Sequence, residues 1–473
     1  MRIIPLFALL AAAALHAQPA APRTPAQQTA REVLKELIGI NTDHDSGSTT
    51  VAAQAVARRL LAAGIPAADV QNVGPAGSKN HNVIARIHGT GGAGGAPARK
   101  PILLLAHLDV VTARAADWTI PPYTLTEKDG FLYGRGTSDV KQGAAILLAA
   151  FIQMKRDGIA PDRDVILALT AGEESGGDYV GVEWLLKNRR DLIDAEWCWN
   201  VDGGDPQLQR GKRIARVIQA SEKVYATYQL EATAAGGHSS LPTRDNPVYR
   251  LARALGRLDA YDFPVHLSEV TRGALSAAAR NEPADVAADL TNIIGPTPDA
   301  AAARRLSARS PFYNAQLRTT CVATMLEGGH AENALPQRAR ATVNCRILPE
   351  EAAGDFVLNT LTTVVADPQV KVTVAYGAVP SPASPLRPEI LRPLEAVTAT
   401  FWTGVPLVPQ METGATDGAY LRNGGIPTYG IATVFMDVDD IRAHGRDERI
   451  IAKEFDTGAD YAFALLKAFA PKK

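Results

Sequence analysis

The chain is most strongly constrained by apolar runs of strand length that end just before a histidine or a carboxylate. Three such runs are Ile102 to Leu105, Val165 to Leu169 and, less purely, Trp197 to Val201. Continuous apolar runs of this length are typical of strands that are buried on both faces. Because sites in open α/β sheets form outside the carboxyl ends of the strands, the polar residues that follow these runs are expected to meet.

Five short segments carry these polar residues. In chain order they read Ala106-His107-Leu108-Asp109, Gly136-Thr137-Ser138-Asp139-Val140-Lys141, Ala171-Gly172-Glu173-Glu174-Ser175, Asn200-Val201-Asp202-Gly203-Gly204 and His444-Gly445-Arg446-Asp447-Glu448-Arg449. Each segment alone is typical of a structural histidine, a solvated acidic pair or a turn. Imidazole nitrogen and carboxylate oxygen are also the atoms that bind zinc in catalytic sites. The ordered set therefore predicts a hydrolytic site for two metal ions.

A two-metal hydrolase needs a bridging carboxylate, a histidine and a carboxylate for each ion, and a separate general base. The five ligand positions are filled by His107, Asp139, Glu174, Asp202 and His444. Glu173 is left as the general base, which accepts a proton from water and later donates it to the leaving amine. Asp109 lies two residues after His107 and is expected to hold the far nitrogen of that imidazole.

The five segments in this order resemble the M20 family of zinc aminoacylases, carboxypeptidases and dipeptidases, from about residue 24 onward. The resemblance implies an α/β fold, in which helices flank a mixed central sheet as in zinc exopeptidases, with an inserted α+β lid or dimerisation domain. It also implies that His107 and Asp202 hold one zinc ion, that Glu174 and His444 hold the other, and that Asp139 bridges them. Cobalt or manganese would also suit these ligands.

The segment Ala235-Gly236-Gly237-His238-Ser239-Ser240-Leu241-Pro242 resembles the signature of the family's lid. By this resemblance His238 reaches an active site, often that of the partner subunit, and stabilises the oxyanion. Arg346 corresponds to the arginine that grips a substrate carboxylate, a role that suits a bidentate guanidinium, and Asn333 is a further candidate contact. The chain departs from the family where Asn344 replaces an expected Asp, and this affects how Arg346 would be held.

The loop Gly414-Ala415-Thr416-Asp417-Gly418 resembles the glycine-rich loop near the carboxylate end of the substrate. Gly414 and Thr416 are therefore candidate substrate-binding residues, through backbone N–H groups that can bind an anion. A second departure from the family is Gln142, which follows Lys141 in place of a small residue. Neither departure touches the metal ligands.

These features predict an exported two-zinc hydrolase that cleaves an amide bond next to a free carboxylate, of the carboxypeptidase or dipeptidase type. Its substrate would be a small peptide. An N-acyl amino acid deacylase uses the same machinery, and the sequence does not separate the two. A non-catalytic binding relative would be expected to have lost ligands or Glu173, and all are present. A serine hydrolase based on Ser175 lacks the G-x-S-x-G elbow.

A chain of 473 residues with 46% hydrophobic content suits two domains. Residues 1–17 are expected to be a signal peptide, because Met1-Arg2 precede an apolar stretch that closes on Leu15-His16-Ala17. The stretch is shorter than the about 20 residues of a membrane span. Export to the periplasm or medium follows, with no membrane attachment after cleavage, and an uncleaved anchor is the alternative.

The catalytic domain is predicted at residues 24–221 and 386–473, and the lid or dimerisation domain at 222–380. Pro380 to Pro385 reads as the linker between the lid and the second catalytic segment. Within the lid, Thr271 to Arg309 is longer than a minimal lid needs and predicts extra helices over the site or at an interface. A homodimer formed through the lid is the expected assembly.

Charge and motif patterns argue against other classes of function. The formal net charge is −1 and basic residues are dispersed, so no basic stripe suggests nucleic acid binding. The segment Gly89 to Gly94 matches G-x-G-x-x-G, but Pro97 and an apolar run follow it. A flexible loop is therefore expected there and not a dinucleotide site.

The chain has three cysteines, which is too few for a disulfide framework. Cys321 and Cys345 lie at equal distances from Asn333, so they could face each other across antiparallel strands. A disulfide between them depends on a distance that such pairs often fail to meet. Cys198, between two tryptophans, is expected to be buried and inert.

Overall fold

The computed structural model of the protein describes residues 22–91, 99–174, 179–280 and 282–471. The predicted signal peptide at 1–17, Ser175 and the second half of the Gly89 to Gly94 segment lie outside these residues. The described helices are α1 Pro25–Gly39, α2 Thr49–Ala62, α3 Lys141–Arg156, α4 Gly181–Asn188, α5 Arg190–Ile193, α6 Pro247–Asp259, α7 Glu269–Ala278, α8 Ala284–Ile293, α9 Ala300–Arg309, α10 Pro311–Leu317, α11 Phe356–Val365, α12 Pro388–Phe401, α13 Gly418–Asn423 and α14 Ala452–Phe469. None of them is long and apolar enough to span a membrane.

The described strands are β1 Val70–Val73, β2 Asn82–Ile87, β3 Ile102–His107, β4 Thr126–Lys128, β5 Phe131–Tyr133, β6 Val165–Thr170, β7 Trp197–Asn200, β8 Gln207–Gln209, β9 Lys212–Glu222, β10 Val224–Thr233, β11 Gly237–His238, β12 Thr320–Gly328, β13 Ala334–Leu335, β14 Arg338–Ile347, β15 Val370–Tyr376, β16 Leu407–Glu412, β17 Thr428–Gly430, β18 Met436–Asp437 and β19 Arg449–Ile451. The three apolar runs of the sequence are the strands β3, β6 and β7.

The largest sheet has the strand order β1-β2-β6-β3-β7-β17-β9-β8-β18, and β16 also pairs with β9. β3 is parallel to both of its neighbours, β6 and β7. β2 is antiparallel to β6, and β17 is parallel to β7 but antiparallel to β9. The sheet is therefore mixed, as predicted, with the three apolar strands side by side in its centre.

The central strand β3 is buried on both faces because its alternate residues enter two different cores. Ile102 and Leu104 belong to the larger core, which includes apolar residues of α1, α3 and α14. Leu103 and Leu105 belong to the smaller core on the opposite face, with residues of α4 and α13. Helices thus flank the sheet on both sides, which explains why β3 reads as a continuous apolar run.

The first helix begins where the sequence supplies a complete set of start signals. The Thr24 side chain accepts a hydrogen bond from the Gln27 amide, the Gln27 side chain accepts one from the Thr24 amide, and Pro25 occupies the first helical position. This reciprocal capping box satisfies two backbone donors that a helix start leaves unpaired. A second helix, α2, follows it before Ala63.

The strands and helices between Lys223 and Tyr376 include a second, smaller sheet with the order β12-β14-β10-β15, all antiparallel. α6 and α11 contribute Leu251 and Leu361 to a core that also contains Leu230 of β10 and Ala341 of β14. This is the predicted α+β unit. β9 ends at Glu222, and residues 377–387 form neither helix nor strand. The domain boundaries as such remain predictions.

The predicted extra helices between Thr271 and Arg309 are α7 to α9, and α10, just beyond this segment, shares a small core with them. This helical insert packs against β16 of the large sheet. Val270 of α7 lies in the larger catalytic core, and the Gln316 side chain donates a 2.8 Å hydrogen bond to the Met411 carbonyl. A Cβ added to Gly273 would lie 2.8 Å from Pro409 Cγ, so this approach requires a residue without a side chain.

Cys321 and Cys345 are directly opposite each other on β12 and β14, with Cα atoms 4.1 Å apart, and they form a disulfide. The cross-strand pairing considered from their spacing is thereby confirmed. Cys198 on β7 is buried and free, as expected.

Replacing both Cys321 and Cys345 with alanine is expected to lower the free energy of unfolding by about 3 kcal/mol, because the unfolded chain gains the freedom of a long loop. Denaturant unfolding without reductant measures this. Added reductant should destabilise the wild type and a Cys198→Ala control, but not the double variant. The expectation would be contradicted if the unfolding midpoint of the wild type were the same with and without reductant.

Candidate active site

Three predicted site segments lie at the carboxyl ends of adjacent strands. His107 is the last residue of β3, Glu174 follows β6, and Asp202 follows β7. His107 pairs with Thr170, and Leu105 pairs with Asn200, so the three strand ends are level with one another. The strand pairing therefore brings these side chains to one edge of the sheet.

The turn after β7 passes unusually close to β17. Gly204 has a φ of +68°, and a Cβ at this position would lie 2.0 Å from the carbonyl oxygen of Gly430. Only glycine fits such a position without displacing the backbone. The Gly203-Gly204 pair thus lets the chain turn beside Asp202.

Asp139 joins the two histidines. Its Oδ1 lies 3.1 Å from His107 Nε2, and its Oδ2 lies 3.0 Å from His444 Nε2. His444 Nε2 is also 2.9 Å from Glu174 Oε1, and His107 Nε2 is 4.0 Å from Asp202 Oδ2. One carboxylate thus faces one imidazole with each of its oxygens, which is the arrangement expected of a bridging ligand.

The donor atoms fit a pair of divalent cations. Three groups of possible ligand atoms each lie within 4.8 Å: His107 with Asp139 and Asp202, His107 with Glu173 and Glu174, and Asp139 with Glu174 and His444. Asp139 belongs to two groups, and each of these two contains one imidazole. Such mixed nitrogen and oxygen sets suit zinc and related transition metals.

The electrostatics of the cluster point the same way. Burial raises the pKa of Glu173 well above its usual range, and the charge of Asp202 raises it further. Burial also raises the pKa of Asp202 well above its usual range. Hydrogen bonds to Asp139 and Glu174 raise the pKa of His444 to about 10. Carboxylates outnumber imidazoles here, and divalent cations would offset the excess of buried negative charge.

Glu173 and Glu174 are adjacent but have different neighbours. Glu174 contacts His444, whereas the carboxylate of Glu173 lies in the group around His107. The sequence-based prediction that the two residues have different tasks is compatible with this arrangement. Glu173 remains the candidate general base.

The structure corrects the predicted contact of Asp109. His107 Nδ1 lies 2.9 Å from the main-chain carbonyl oxygen of Asp109, while the Asp109 carboxylate is 3.8 Å away. That carboxylate instead accepts hydrogen bonds from the amides of Gly172 and Glu174, at 2.8 and 2.9 Å. Asp109 therefore orients the imidazole through its backbone and holds the Glu173-Glu174 turn through its side chain. Sequence spacing does not distinguish these two atoms.

Arg346 lies on β14 with its guanidinium carbon 5.0 Å from the centre of the Tyr225 ring. Among the described residues it has no ion-pair partner, so a substrate carboxylate could bind it. Asn344 hydrogen-bonds to Ala226 and Thr227 of β10 and leaves Arg346 without support from that position. Tyr225 also lines a cleft between the two sheets.

Thr416 lines the same cleft. Its hydroxyl donates to Glu222 at 2.9 Å and accepts from the Gly418 amide at 3.0 Å. The amide of Thr413 hydrogen-bonds to the carboxylate of Glu412 at 3.0 Å.

His238 and Asn333 lie on or beside the short β11-β13 pair. His238 is exposed, and its Nδ1 accepts hydrogen bonds from the Ser240 amide and lies 2.8 Å from the Ser240 hydroxyl. The Asn333 carbonyl accepts from the Ser239 amide. Within the described part of the chain, none of these contacts reaches the metal-ligand cluster.

The site contains two further acidic groups for which the sequence predicts no role. Asp417 is buried, accepts a 3.0 Å hydrogen bond from Thr170, and has its pKa raised to about 7 by burial. Glu448 is buried beside the loop that carries Asp139. Both residues belong to sequence motifs that contain other candidate site residues, and each lies near a glycine-containing turn. Their position in these motifs is the feature of the sequence that could have identified them as site residues.

Comparison with known proteins agrees with this geometry. Residues 103–468 match the sequence profile of Peptidase family M20/M25/M40. The human N-fatty-acyl-amino acid synthase/hydrolase PM20D1 is 30% identical over 386 residues, which are 79% of this chain and 75% of the human protein.

Two solved structures have a similar fold. The M20 family metallo-carboxypeptidase Sso-CP2 from Sulfolobus solfataricus aligns with a TM-score of 0.68 at 17% identity, covering 93% of this chain and 99% of that one. Human carnosine dipeptidase 1 aligns with a TM-score of 0.61 at 17% identity, covering 94% and 96%. Since the profile match covers most of the chain and contains all five candidate ligands, the chain belongs to peptidase family M20/M25/M40, a family of hydrolases.

Proposed function

We propose that this hydrolase uses two divalent metal ions, zinc above all, to cleave an amide bond next to a free carboxylate. The observation that carries the proposal is the Asp139 carboxylate between two imidazoles, with Glu173 beside them. The preferred substrate class is a small peptide, cleaved as by a carboxypeptidase or dipeptidase. Hydrolysis of an N-acyl amino acid is the second candidate, and the 30% identity to a human N-fatty-acyl-amino acid synthase/hydrolase favours it.

In this proposal His107 and Asp202 would hold one ion, Glu174 and His444 would hold the other, and Asp139 would be shared between them. Bound divalent ions polarise a carbonyl group and lower the pKa of water in such sites. Glu173 accepts the proton of the attacking water and passes it to the leaving nitrogen. Its buried position supports this role, because a carboxylate with a raised pKa is better suited to return a proton near neutral pH.

Arg346 would bind the free carboxylate of the substrate through its guanidinium. Burial lowers the pKa of Arg346, and the side chain lies over the Tyr225 ring. A carboxylate ligand would satisfy donors that the described chain leaves without an ionic partner. Tyr225, Tyr376 and Tyr420 line the neighbouring cleft and offer ring surface to the apolar part of a substrate.

Export remains a prediction from the first residues, since residues 1–17 lie outside the described part. If the chain is exported, its substrates are those met outside the cytoplasm. Scavenging of small peptides would fit such a location.

Glu173→Gln is expected to reduce kcat by at least roughly 100-fold while both metal ions remain bound, because it removes the proton acceptor without removing a ligand. Release of amino acids from dipeptides and from N-acyl amino acids, together with metal content per chain, measures this. Glu183→Gln on the exposed face of α4 is the matched control. Wild-type turnover in Glu173→Gln, or loss of metal without loss of turnover, would overturn the assignment. Release from only one of the two substrate classes by the wild type would decide between the two candidate functions.

Arg346→Gln is expected to raise KM on the order of 10- to 100-fold for substrates with a free carboxylate, because a charged hydrogen bond is lost. Substrates blocked as carboxamides should be affected far less. Arg340→Gln is the control, since Arg340 lies on the same strand but is paired with Glu231. Equal effects on free and blocked substrates would remove Arg346 from carboxylate binding.

We also propose that the enzyme is a homodimer that assembles through the lid. Among the described strands, β12 pairs only with β14, so its other edge is open. Val322, Met325 and Leu326 on this strand are 61%, 59% and 68% exposed. An open strand edge with apolar side chains is a template for pairing with another chain. The distance of His238 from its own cluster would be explained if it served the partner's site.

Leu326→Arg is expected to give a monomer in sedimentation equilibrium, whereas Leu61→Arg on exposed α2 should leave the dimer intact.

His238→Ala is expected to lower kcat on the order of 100- to 1000-fold, the usual contribution of an oxyanion donor. A mixture of His238→Ala and Glu173→Gln chains should regain activity that neither has alone. A fully active monomer would contradict both parts of the proposal.

A further inference from the structure

A buried ion pair links the two loop segments that supply Asp139 and His444. Arg135 Nη1 lies 2.6 Å from Glu448 Oε2, and the two residues are 2% and 0% exposed. Neither has a part in the chemistry proposed above. Arg135 stands four residues before Asp139, and Glu448 stands four residues after His444.

Glu448 acts on the segment that carries the other ligand. Its carboxylate accepts hydrogen bonds from the amides of Gly136, Ser138 and Asp139, at 3.1, 2.6 and 3.1 Å to Oε1. The Ser138 hydroxyl donates to the same oxygen at 3.0 Å. One carboxylate therefore accepts hydrogen bonds from the backbone N–H groups of the turn that carries Asp139.

Arg135 belongs to the segment of Asp139 and hydrogen-bonds to the segment that carries His444. Its Nη2 donates hydrogen bonds to the carbonyl oxygens of His444 and Gly445, at 3.3 and 3.2 Å. The Trp118 ring covers its guanidinium at 5.0 Å. Each member of the ion pair thus belongs to one ligand segment and hydrogen-bonds to the backbone of the other.

The His444 segment needs such external support. His444 and Asp447 have φ values of +63° and +50°, in the left-handed region that side chains disfavour. The carboxylate of Asp447 accepts hydrogen bonds from the amides of Thr119 and Ile120, which anchors the far end of the turn. Between these anchors, the bonds from Arg135 hold the carbonyl of His444 itself.

The two proposed metal positions differ in how they are supported. His107 and Asp202 end or follow adjacent strands of the buried sheet, so strand pairing fixes their separation. His444 is carried on a loop, and Asp139 precedes α3 on another. β5 pairs with β19, and the Gly134 amide donates a 3.0 Å hydrogen bond to the Glu448 carbonyl, which joins the two loops where they meet these strands. Nearer the cluster, the side chains of Arg135 and Glu448 supply the contacts described above.

We propose that Arg135 and Glu448 are positioning residues that set the distance between Asp139 and His444, and so determine affinity for the metal ion held by Glu174 and His444. The inference rests on the proposed two-metal function. It assigns to this ion pair a selective effect on one metal position, while the position of His107 and Asp202 keeps its own support from the sheet.

The test is zinc titration of apo-protein by calorimetry, with zinc content measured after dialysis. Glu448→Gln keeps the size of the side chain but places an N–H₂ group among backbone donors. It should weaken one of the two zinc ions on the order of 10- to 100-fold and leave the other zinc nearly unchanged. After dialysis, the Glu448→Gln variant should therefore retain one zinc ion, whereas the wild type retains two.

Glu196→Gln is the matched control, because Glu196 pairs with the fully buried Arg163 at 2.6 Å before β7, at the opposite end of that strand from Asp202. It should lower stability yet bind two zinc ions with wild-type affinity. If Glu448→Gln does not fold, Arg135→Lys replaces it: this variant keeps the positive charge but loses the fork that reaches His444 and Gly445. It should weaken the same zinc by a smaller factor.

The inference would be overturned if both variants bound both zinc ions with wild-type affinity. It would also be overturned if the affinity for the two ions fell equally. A wild type that binds two zinc ions but hydrolyses no amide would instead refute the proposed function alone. A wild type that binds no zinc would refute both.

Discussion

The parallel pairing of β3 with β6 on one side and β7 on the other is the constraint on which the rest of the site depends. Burial of each large apolar side chain on these strands contributes about 1.5–3 kcal/mol, and both faces of β3 are buried. A shift of one residue would send every side chain of the strand to the wrong core. The same shift would move His107 away from Glu174 and Asp202 together. The packing of the cores and the alignment of the ligands are therefore one structural property.

The edge of the sheet that carries the candidate ligands contains several buried carboxyl groups. Their negative charge must be balanced by cations. Besides the candidate ligands, burial raises the pKa of Asp417 to about 7. Glu222 is neutralised by Arg422 at 2.9 Å. Such an edge attracts cations but would repel a substrate carboxylate. Arg346 lies on the smaller sheet with its guanidinium over the Tyr225 ring, so in the proposed function one sheet would bind the metal ions and the other the substrate anion.

Much of the catalytic half could be predicted from the sequence, because its strands are continuous apolar runs and its ligand candidates follow them directly. β3, β6 and β7 and the convergence of His107, Glu174 and Asp202 belong to this part. The atom through which Asp109 holds His107 could not be predicted, since carbonyl and carboxylate belong to the same residue. Arg135 and Glu448 are over three hundred positions apart, and no local pattern links them. The contact of α7 with β16 likewise depends on tertiary packing, which periodicity does not report.

The helical insert changes the mechanics of the lid. A lid joined only beside Glu222 and through residues 377–387 would swing about those two connections. Here the chain also passes from α6 into α7, whose Val270 is embedded in the catalytic core, and leaves again from α10 to β12. Any rotation of the lid sheet must therefore bend all of these crossings at once, or pull Gln316 from Met411. These crossings would therefore confine any opening of the proposed lid to small angles.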